Sequence, residues 1–436
     1  MTTQNLKDHR EIGREQELFF TDDLAPGAPF WLPNGMIIFK ELEKFIRKLT
    51  QDAGYQETST PIMVKSEIFK TSGHWTKFGE HNMYNLALYE NEEIQKHLES
   101  LEQGRPSDDL EEHITPGGDK QYYPKPNYTL KPMNCPESTI LYRFRQRSYR
   151  ELPLRFSEIG RLHRREKSGE VHGLLRVRQL TMDDAHIFAK ETQIEEEVAN
   201  ILDTMVKFYD TFGFEYEFKL ATRPEERAGK DTDWDKAEKT LEDVLKKKKL
   251  KYSPKDRDGA FYGPKIDLHI KDSQGREWQL ATVQIDFHQP QAFGLKYIDE
   301  KGESQTPVMI HRAIFGSFER FLAILTEHYQ GSFPLWLAPK QTIVLPISDK
   351  NLPYAKKVNE KLTDENIRSG VDSRNETLQA KIRDATLVKI PYLLVVGARE
   401  EEAKEIAVRT RDGKDLGKMT TAALIEKIKN DIASQA

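Results

Sequence analysis

Apolar residues recur every three or four positions in several long stretches, the spacing of a helix that buries one face. This pattern predicts helices over residues 35–53, 191–212, 233–250 and 314–329. The last of these is strongly apolar, so we expect it to be buried. Apolar and polar residues alternate instead over 261–270 and 276–287, which predicts strands. Pro61 limits the extended segment that contains it, 54–64, to a sheet edge or a bulge.

A second pattern begins after "GSFPLWLAP" at 331–339, where short strands and helices alternate to the end of the chain. The strands are "TIVLPI", "PYLLVVG" and "IAVRTR", and the helices are 352–368, 400–404 and 420–432. We therefore predict an α+β fold with two domains. Residues 1–334 would form a domain built on an antiparallel sheet, and residues 337–436 a small α/β domain.

Residues 87–129 interrupt the first domain with a polar, acidic sequence that Pro and Gly break repeatedly. We interpret this stretch as a surface insertion with one short helix near 91–102. A solvated excursion without a function of its own is the simplest interpretation.

Hydrophobic residues make up 37% of the chain and charged residues 31%, which is typical of a globular protein and not of a disordered one. No apolar run approaches 18 residues, so the sequence predicts no transmembrane helix. The first 20 residues lack the apolar region of a secretion signal. Together with a single cysteine, these features predict a cytoplasmic protein.

The net charge of −5 is distributed unevenly. Residues 337–436 contain 18 Lys and Arg against 15 Asp and Glu, a balance of +3, so the rest of the chain carries −8. A mildly basic C-terminal domain permits contact with nucleic acid. An ordinary solvated surface accounts for the same numbers, and charge alone leaves both interpretations open.

The only cysteine, Cys135, lies between Pro132 and Pro136 and has no partner for an internal disulfide. It can be a small buried apolar residue, a reactive thiol or a metal ligand. His186 and His311 are candidate partners, but 51 residues separate Cys135 from His186 and 125 separate His186 from His311. Local zinc motifs have short spacings, so the spacing gives no support for a metal site, and satisfied core or surface histidines are the commoner case.

Arginines and acids alternate in residues 155–188. The residues concerned are Glu158, Arg164, Arg165, Glu166, Arg176, Arg178, Asp183 and Asp184. Guanidinium groups bind phosphate and carboxylate through paired hydrogen bonds, and carboxylates can hold Mg²⁺ or orient arginines. A ladder of surface ion pairs is the alternative. Arg320 is a second candidate, because a charge within an apolar helix requires a ligand or an acidic partner unless it reaches the surface along its own stem.

Four stretches together resemble class II threonyl-tRNA synthetases: "KPMNCPES", "RFSEIGRLHRREKSGEVHGLLRVRQLTMDDAHIF", "GAFYGPKIDLHI" and "MIHRAIFGSFERF". The similarity begins at "DHREIGREQELFF" and extends almost to the C-terminus, apart from the insertion. Within it, "GYQETSTPIM" resembles the dimer-forming first motif of that class, the arginine-rich stretch the second and "GSFERF" the third. The resemblance implies a homodimer whose antiparallel-sheet active site binds ATP in a bent form.

The resemblance also implies roles for individual residues. Cys135, His186 and His311 would hold one Zn²⁺ per subunit, which takes the amino group and hydroxyl of threonine. Threonine would be bound by Met133, Asp184, Tyr262 and Gln284, with Asp184 bonding the hydroxyl. ATP, with Mg²⁺, would be bound by Arg164, Glu166, Arg176, Gln279, Thr282 and Arg320. Arg164 and Arg320 would serve catalysis at the α-phosphate and the adenine, and His74 would serve the transfer step.

For the C-terminal domain, the resemblance implies that Asn375, Glu400 and Arg409 contact the tRNA anticodon. The whole would be a threonine–tRNA ligase that forms threonyl-adenylate and then esterifies threonine tRNA. Nothing in the sequence matches the hydrolytic domain of larger family members, so we expect no editing of seryl-tRNA in cis. Met182 and Leu180 depart from the residues that are frequent in the family, glutamine and phenylalanine.

Three other functions stay open on the sequence: a related class II ligase for another small amino acid, a synthetase-like RNA-binding module without catalysis, and a zinc hydrolase. The motif arginines and the three candidate ligands are all present, which argues against the module. A general base near the ligands is not evident, which argues against the hydrolase.

Overall fold

The computed structural model describes residues 6–104, 107–114, 119–272 and 274–434. Its α-helices are His9–Glu15, Pro33–Asp52, Glu67–Thr71, Asn91–Glu102, Cys135–Arg143, Ile194–Phe212, Asp231–Lys247, His288–Ala292, Phe318–His328, Leu352–Asp364, Leu378–Leu387, Ala398–Ala403 and Thr421–Ala433. The four long amphipathic stretches are all helical, with ends that differ from the prediction by a few residues. The terminal residues 1–5 and 435–436 of the two predicted domains lie outside the described residues, and the domain boundaries stay predictions.

An eight-stranded sheet forms the centre of the first domain. In spatial order its strands are Tyr252–Lys255, Tyr216–Ala221, Lys265–Lys271, Glu277–Asp286, Val308–Ala313, Gln179–Ala189, Leu154–His163 and Gln56–Glu57. The six inner strands are antiparallel, and only the two edge strands pair in parallel. The predicted α+β class is confirmed, and the segment that contains Pro61 begins at a sheet edge as predicted.

Long helices cover one face of this sheet. The core between them contains Phe208, Phe315, Phe318 and Phe321, all buried, together with the aliphatic residues of the inner strands. The helix Phe318–His328 is buried along most of its length, as its apolar sequence predicts. Because side chains alternate across a strand, the other residues of the inner strands face the opposite side, where they are available for a site.

Several small sheets surround the central one. Their strands are Phe19–Thr21 with Pro29–Trp31, then Met63–Lys65, Tyr128–Leu130 and Tyr84–Leu86, then Ser304–Gln305, Tyr297–Ile298 and Arg147–Ser148, and finally Leu110–Ile114 with Lys120–Pro124. The insertion contains the predicted helix and, in addition, the last of these hairpins. Residues 105–106 and 115–118 of the insertion lie outside the described residues.

The C-terminal sheet has five strands, in the order Ser369–Val371, Thr342–Pro346, Tyr392–Val396, Glu405–Thr410 and Asp415–Thr420. The first three strands are parallel to one another, and each of the last two is antiparallel to the strand before it in this order. The predicted helix 352–368 ends early, at Asp364, because Asn366 takes a left-handed conformation (φ 61°) that turns the chain into a strand. Within the described part of the chain, no helix is long and apolar enough to cross a bilayer.

Candidate functional site

A cavity of about 310 Å³ opens on the polar face of the central sheet. Ten of the residues predicted to form the site line it: His74, Met133, Cys135, Arg164, Asp184, His186, Tyr262, Thr282, Gln284 and His311. They come from three adjacent strands, from the start of the helix Cys135–Arg143 and the segment before it, and from three loops. The fold therefore brings together residues that are far apart in sequence.

Cys135, His186 and His311 converge at one end of the cavity. Their candidate ligand atoms all lie within 4.8 Å of one another, and the three side chains are buried. His186 and His311 are directly opposed in neighbouring antiparallel strands, with ring centroids 5.0 Å apart. Cys135 begins its helix, with Pro136 at the first turn, where proline fits without losing a hydrogen bond. One thiol and two imidazoles form a donor set that suits zinc.

A second layer of hydrogen bonds orients His311. Its Nε2 lies 2.9 Å from Asp286 Oδ2, so the carboxylate accepts the ring hydrogen at that nitrogen. Asp286 is fully buried and also accepts from the backbone of His288 and from both the backbone and the side chain of Gln289. A carboxylate behind a ligating histidine is a frequent feature of metal sites, because it fixes the ring and its tautomer.

An ionised Cys135 thiolate would be unfavourable in this cluster without a nearby cation. Burial, reinforced by Asp184, Glu137 and Asp286, raises the pKa of the Cys135 thiol well above its usual range. Burial also lowers the pKa of His186 well below its usual range, aided by His311. Neutral imidazoles are the form that binds metal, whereas the thiol requires a nearby positive charge to ionise. The three residues therefore fit a divalent cation.

Asp184 lies beside this cluster, with Oδ1 3.8 Å from His186 Nε2. Asn134 donates to its Oδ2 at 3.0 Å. Gly160 makes room for Asn134, because a Cβ at that position would lie 2.4 Å from Asn134 Oδ1. Burial raises the pKa of Asp184 to about 6, and the bond from Asn134 opposes that rise. Asp184 is thus a buried acceptor with a fixed orientation.

Tyr262 and Gln284 also line the cavity and contact each other. The Tyr262 hydroxyl donates to Gln284 Oε1 at 2.6 Å, and Gln284 Nε2 lies 3.3 Å from Thr282 Oγ1. The Tyr262 ring lies 5.0 Å from that of His311. Met133 completes the predicted amino-acid pocket, so all four of its residues are together.

Two guanidinium groups have no acidic hydrogen-bond partner in the described residues: that of Arg164, which lines the cavity, and that of Arg320, which does not. The Arg164 guanidinium donates to the Pro132 carbonyl at 3.1 Å, and the Arg320 guanidinium donates to the Leu175 carbonyl at 2.9 Å. Burial lowers the pKa of Arg164, and the pKa of Arg320 is lowered by burial and then by Arg164 and Arg176. Guanidinium groups that repel one another at a partly buried site favour an anionic ligand.

Glu166 and Arg176 lie at the outer rim. They form an ion pair at 2.8 Å, and Arg176 also pairs with Glu170 at 2.9 Å. Neither residue lines the cavity described above, and Arg176 is exposed. Their place in the predicted ATP site therefore requires the ligand to extend from Arg164 toward this rim.

Gln279 is on the same face as Thr282 and Gln284 despite a spacing of three residues. Leu268 pairs with Ala281 and His269 pairs with Gln279, which leaves Leu280 as the extra residue of a β-bulge. The bulge reverses the alternation beyond it, so Gln279 shares the face of Thr282. Gln279 does not itself line the cavity.

His74 lies on the wall opposite the strands. It is buried, with Nε2 3.8 Å from Cys135 Sγ and Nδ1 2.8 Å from Ser72 Oγ. Burial, followed by the nearby His311, lowers the pKa of His74 to about 3, so the ring is neutral at physiological pH. His74 can therefore act as a neutral hydrogen-bonding group and not as a cation.

Two of the alternating acids of residues 155–188 form buried ion pairs. Glu158 forms a buried ion pair with Lys131 at 2.8 Å, and Asp183 forms one with Arg312 at 2.6 Å. Asp183 also accepts from the backbone of Ile314, which ties the second motif strand to the third motif. The interpretation as a surface ladder is therefore wrong for these two acids.

Comparison with known proteins identifies the family. A family model described as the tRNA synthetase class II core domain (G, H, P, S and T) matches residues 121–329, and one described as an anticodon binding domain matches residues 341–431. A crystal structure of the RNA binding domain of threonyl-tRNA synthetase from Cryptosporidium parvum is 36% identical, with a TM-score of 0.86, over 97% of this chain and 98% of that one. The chain belongs to the class II threonyl-tRNA synthetase family.

Curated relatives named threonine–tRNA ligase agree with this assignment. The protein from Natranaerobius thermophilus is 44% identical over 426 residues, and that from Caldanaerobacter subterraneus is 45% identical over 430 residues. These alignments cover 98% and 99% of this chain but 61% of each relative. The chain thus spans about three fifths of the length of the curated relatives it matches.

Sequence reasoning missed several residues of the cavity and its support. The cavity is also lined by Lys77, Phe78, Ala260, Phe261, Arg312 and Ala313. Met182, noted above as a departure from the family, lines it too, whereas Leu180 packs with Leu162 and Val177 in a small buried cluster. Asp286 and Asn134 had no signal beyond their proximity in sequence to predicted residues.

In the domain matched by the anticodon-binding model, the three predicted contact residues do not form one compact cluster of side-chain contacts. Asn375 is exposed in the loop that follows Ser369–Val371. Glu400 lies in the first turn of the short helix Ala398–Ala403, accepts from the backbone of Gly397 and pairs with Lys418 at 2.8 Å. Arg409 is exposed on the strand Glu405–Thr410. The assignment of these residues to an anticodon stays a prediction.

Proposed function

We propose that this chain is a threonine–tRNA ligase that activates threonine with ATP and transfers it to the 3′ end of threonine tRNA. The observation that carries the proposal is one cavity in which the Cys135, His186 and His311 cluster lies beside Asp184 and Arg164. Such a cavity offers groups for an amino acid at one end and for a phosphate at the other. The family membership of the chain supports the same reaction.

Cys135, His186 and His311 would hold Zn²⁺, since their donor atoms, burial and supporting carboxylate all suit that ion. When bound, zinc with three protein ligands keeps an open position for the amino group and hydroxyl of threonine. Asp184 would accept a hydrogen bond from that hydroxyl. A site that bonds the hydroxyl rejects valine strongly, because valine would leave buried polar groups unpaired.

Arg164 would bind both the carboxylate of threonine and the α-phosphate of ATP, which aligns the two reacting groups. Arg320 would lie against the adenine, with Gln279 and Thr282 nearby, and Glu166 and Arg176 would contact ATP at the rim. Mg²⁺ accompanies ATP in this scheme as part of the substrate. As the threonine carboxylate attacks the α-phosphorus and pyrophosphate leaves, positive charge held at Arg164 would stabilise the negative charge on the α-phosphate oxygens.

In the second step the ribose hydroxyl of the terminal tRNA nucleotide would attack the adenylate carbonyl, which forms the ester and breaks the anhydride bond so that AMP leaves. His74 would assist this step as a neutral hydrogen-bonding group, consistent with its buried place in the cavity.

We also propose that two subunits associate through the segment 54–64 and that the protein acts in the cytoplasm. Sedimentation of the purified chain at micromolar concentration would measure the first of these directly.

Replacing Glu400 by alanine should reduce tRNA charging several-fold and leave threonine-dependent ATP–pyrophosphate exchange unchanged. The reason is that Glu400 lies in the anticodon-binding domain, remote in sequence and in contacts from the cavity. Lys429→Ala in the same domain, which removes a surface ion pair with Glu365, serves as the control. Equal charging by the Glu400 variant and the control variant would refute the anticodon assignment.

Serine should be activated more slowly than threonine, by about 10- to 200-fold, since it lacks one methyl group and keeps both polar groups. We expect this chain not to hydrolyse the seryl-tRNA that forms when activated serine is transferred to tRNA. Preformed seryl-tRNA of the threonine acceptor is the probe, and its deacylation is compared with the spontaneous rate. Hydrolysis far above that rate would disprove the expectation and would indicate a second site.

The proposed function is tested by ATP–pyrophosphate exchange with threonine, serine and valine side by side. We expect exchange with threonine, weak exchange with serine and almost none with valine. A clear preference for another small amino acid would assign the chain to a related ligase. Nucleotide binding without exchange for any amino acid would indicate a module without catalysis.

A further inference from the structure

The N-terminal segment "DHREIG" contains a buried histidine that none of the proposed catalytic steps uses. His9 is fully buried and lies between two parts of the chain that are remote in sequence. Its Nε2 accepts a hydrogen bond from the backbone N–H of Leu174 at 3.1 Å. Its Nδ1 lies 2.7 Å from Glu327 Oε1, a residue of the helix that carries Arg320.

These two contacts determine the tautomer of His9. A backbone N–H can only donate, so Nε2 carries no hydrogen, and Nδ1 must carry the hydrogen that Glu327 accepts. The backbone N–H of His9 also donates to Glu327 Oε1, at 3.1 Å. His9 therefore acts as a neutral bridge with one acceptor and one donor.

The contacts continue from Glu327 to the aromatic ring next to Arg320. Arg276 donates to Glu327 Oε2 at 2.5 Å and, through Nε, to Asp272 Oδ2 at 2.6 Å. Asp272 Oδ2 also accepts from the Trp278 indole N–H at 2.7 Å. The Trp278 ring faces the guanidinium of Arg320, whose carbon lies 5.8 Å from the ring centroid.

On the other side, the path from His9 returns to the same arginine. Leu174, which His9 holds through its N–H, precedes Leu175, whose carbonyl accepts from Arg320 Nε at 2.9 Å. The contacts thus close a ring that begins and ends at His9 and includes Arg320. His9, Glu327 and Asp272 are buried, whereas Arg276 is partly exposed. The hydrogen bonds at His9 are therefore shielded from water, which strengthens them.

We propose that His9 is a positioning residue for the nucleotide site, which fixes the Leu174–Leu175 backbone and through it the guanidinium of Arg320. This inference rests on the proposed function, because it assigns Arg320 to the adenine of ATP. The guanidinium has one protein hydrogen bond in the described residues, to Leu175, so its position depends on where that carbonyl lies. A shift of that backbone would weaken ATP binding and leave the threonine pocket, which His9 does not contact, unchanged.

Two substitutions each preserve one half of the bridge. In His9→Gln, the side-chain oxygen can reach the position of Nε2 and accept from Leu174, while the bond to Glu327 is lost. In His9→Asn, the side-chain NH₂ can take the place of Nδ1 and donate to Glu327, while the bond to Leu174 is lost. Because each variant loses one hydrogen bond, a role in stability alone predicts similar effects for the two.

The experiment measures the KM for ATP and for threonine in exchange, together with thermal unfolding, for His9→Gln, His9→Asn and His9→Ala. Loss of one hydrogen bond corresponds to a change of about 2- to 10-fold in an equilibrium constant such as that for ATP binding. We expect the KM for ATP to rise by about that factor in the asparagine and alanine variants and to stay within about twofold in the glutamine variant. The KM for threonine should not change in any of them. Glu197→Gln, which removes the negative charge of a buried ion-pair partner of Arg155, is the matched control and should change neither KM.

Equal KM values for ATP in the glutamine and asparagine variants, or parallel changes in both KM values, would overturn the proposal. If His9→Ala does not fold, the comparison between glutamine and asparagine still decides it. Failure of the proposed function is distinguishable, since the wild-type chain would then show no threonine-dependent exchange.

Discussion

Cys135→Ala is expected to lose stoichiometric zinc and to lose almost all threonine-dependent ATP–pyrophosphate exchange while remaining folded. With only His186 and His311 left, the site would retain two ligands, too few for tight binding. The fold should survive, because Cys135 is one small side chain in a minor buried cluster and does not belong to the main hydrophobic core. Zinc is measured by atomic absorption after dialysis, and folding by circular dichroism.

Asp286→Asn provides a graded comparison in the same site. It keeps all three ligands but removes the charge of the carboxylate that accepts from His311, so we expect zinc affinity to fall by about 10- to 100-fold. Exchange by this variant should recover when zinc is added in excess, whereas the Cys135 variant should not recover. Full exchange by a zinc-free Cys135→Ala chain would contradict the zinc assignment.

Arg164→Ala should depress adenylate formation by about 100- to 1,000-fold, the usual cost of removing a charged contact to a developing negative charge. Its guanidinium has no acidic partner in the described residues, so its removal leaves no unpaired carboxylate behind and the fold should be little affected. The affinity for tRNA should change far less than the rate of adenylate formation, because the proposed contact is made in the transition state of activation.

Arg161→Ala is the control, since Arg161 is exposed on the strand Leu154–His163, which ends just before Arg164, and lines no part of the cavity. Single-turnover formation of threonyl-adenylate measures the chemical step apart from product release. A rate for the Arg164 variant within a few-fold of that of the control variant would rule out the assignment of Arg164 to the α-phosphate.

The periodicity of apolar residues was sufficient to predict the long helices of the first domain and part of the alternating pattern of the C-terminal domain, in which the strand Ser369–Val371 and the helix Leu378–Leu387 were missed. It was not sufficient for the hairpin Leu110–Ile114 and Lys120–Pro124, whose polar sequence carries no clear alternation. The strand Asp415–Thr420 was missed for a similar reason, since most of its side chains are exposed and leave no apolar face in the sequence.

The site illustrates a different limit. Spacing along the chain gave no indication that Cys135, His186 and His311 meet, because the pairing register that opposes the two histidines is set by long-range strand contacts. Only the resemblance to a family suggested the cluster before the structure was considered. Gln279 is a sharper case: its face depends on a bulge at Leu280 that no local sequence feature predicted.

The most direct test of the central claim is the esterification of radiolabelled threonine to threonine tRNA by the zinc-loaded chain with ATP and Mg²⁺. The account predicts that acid-precipitable label accumulates, that it fails to accumulate after zinc is removed, and that it accumulates again when zinc is restored. A folded, zinc-loaded chain that binds ATP but transfers no threonine to tRNA would contradict the account, as would charging that is unaffected by the removal of zinc.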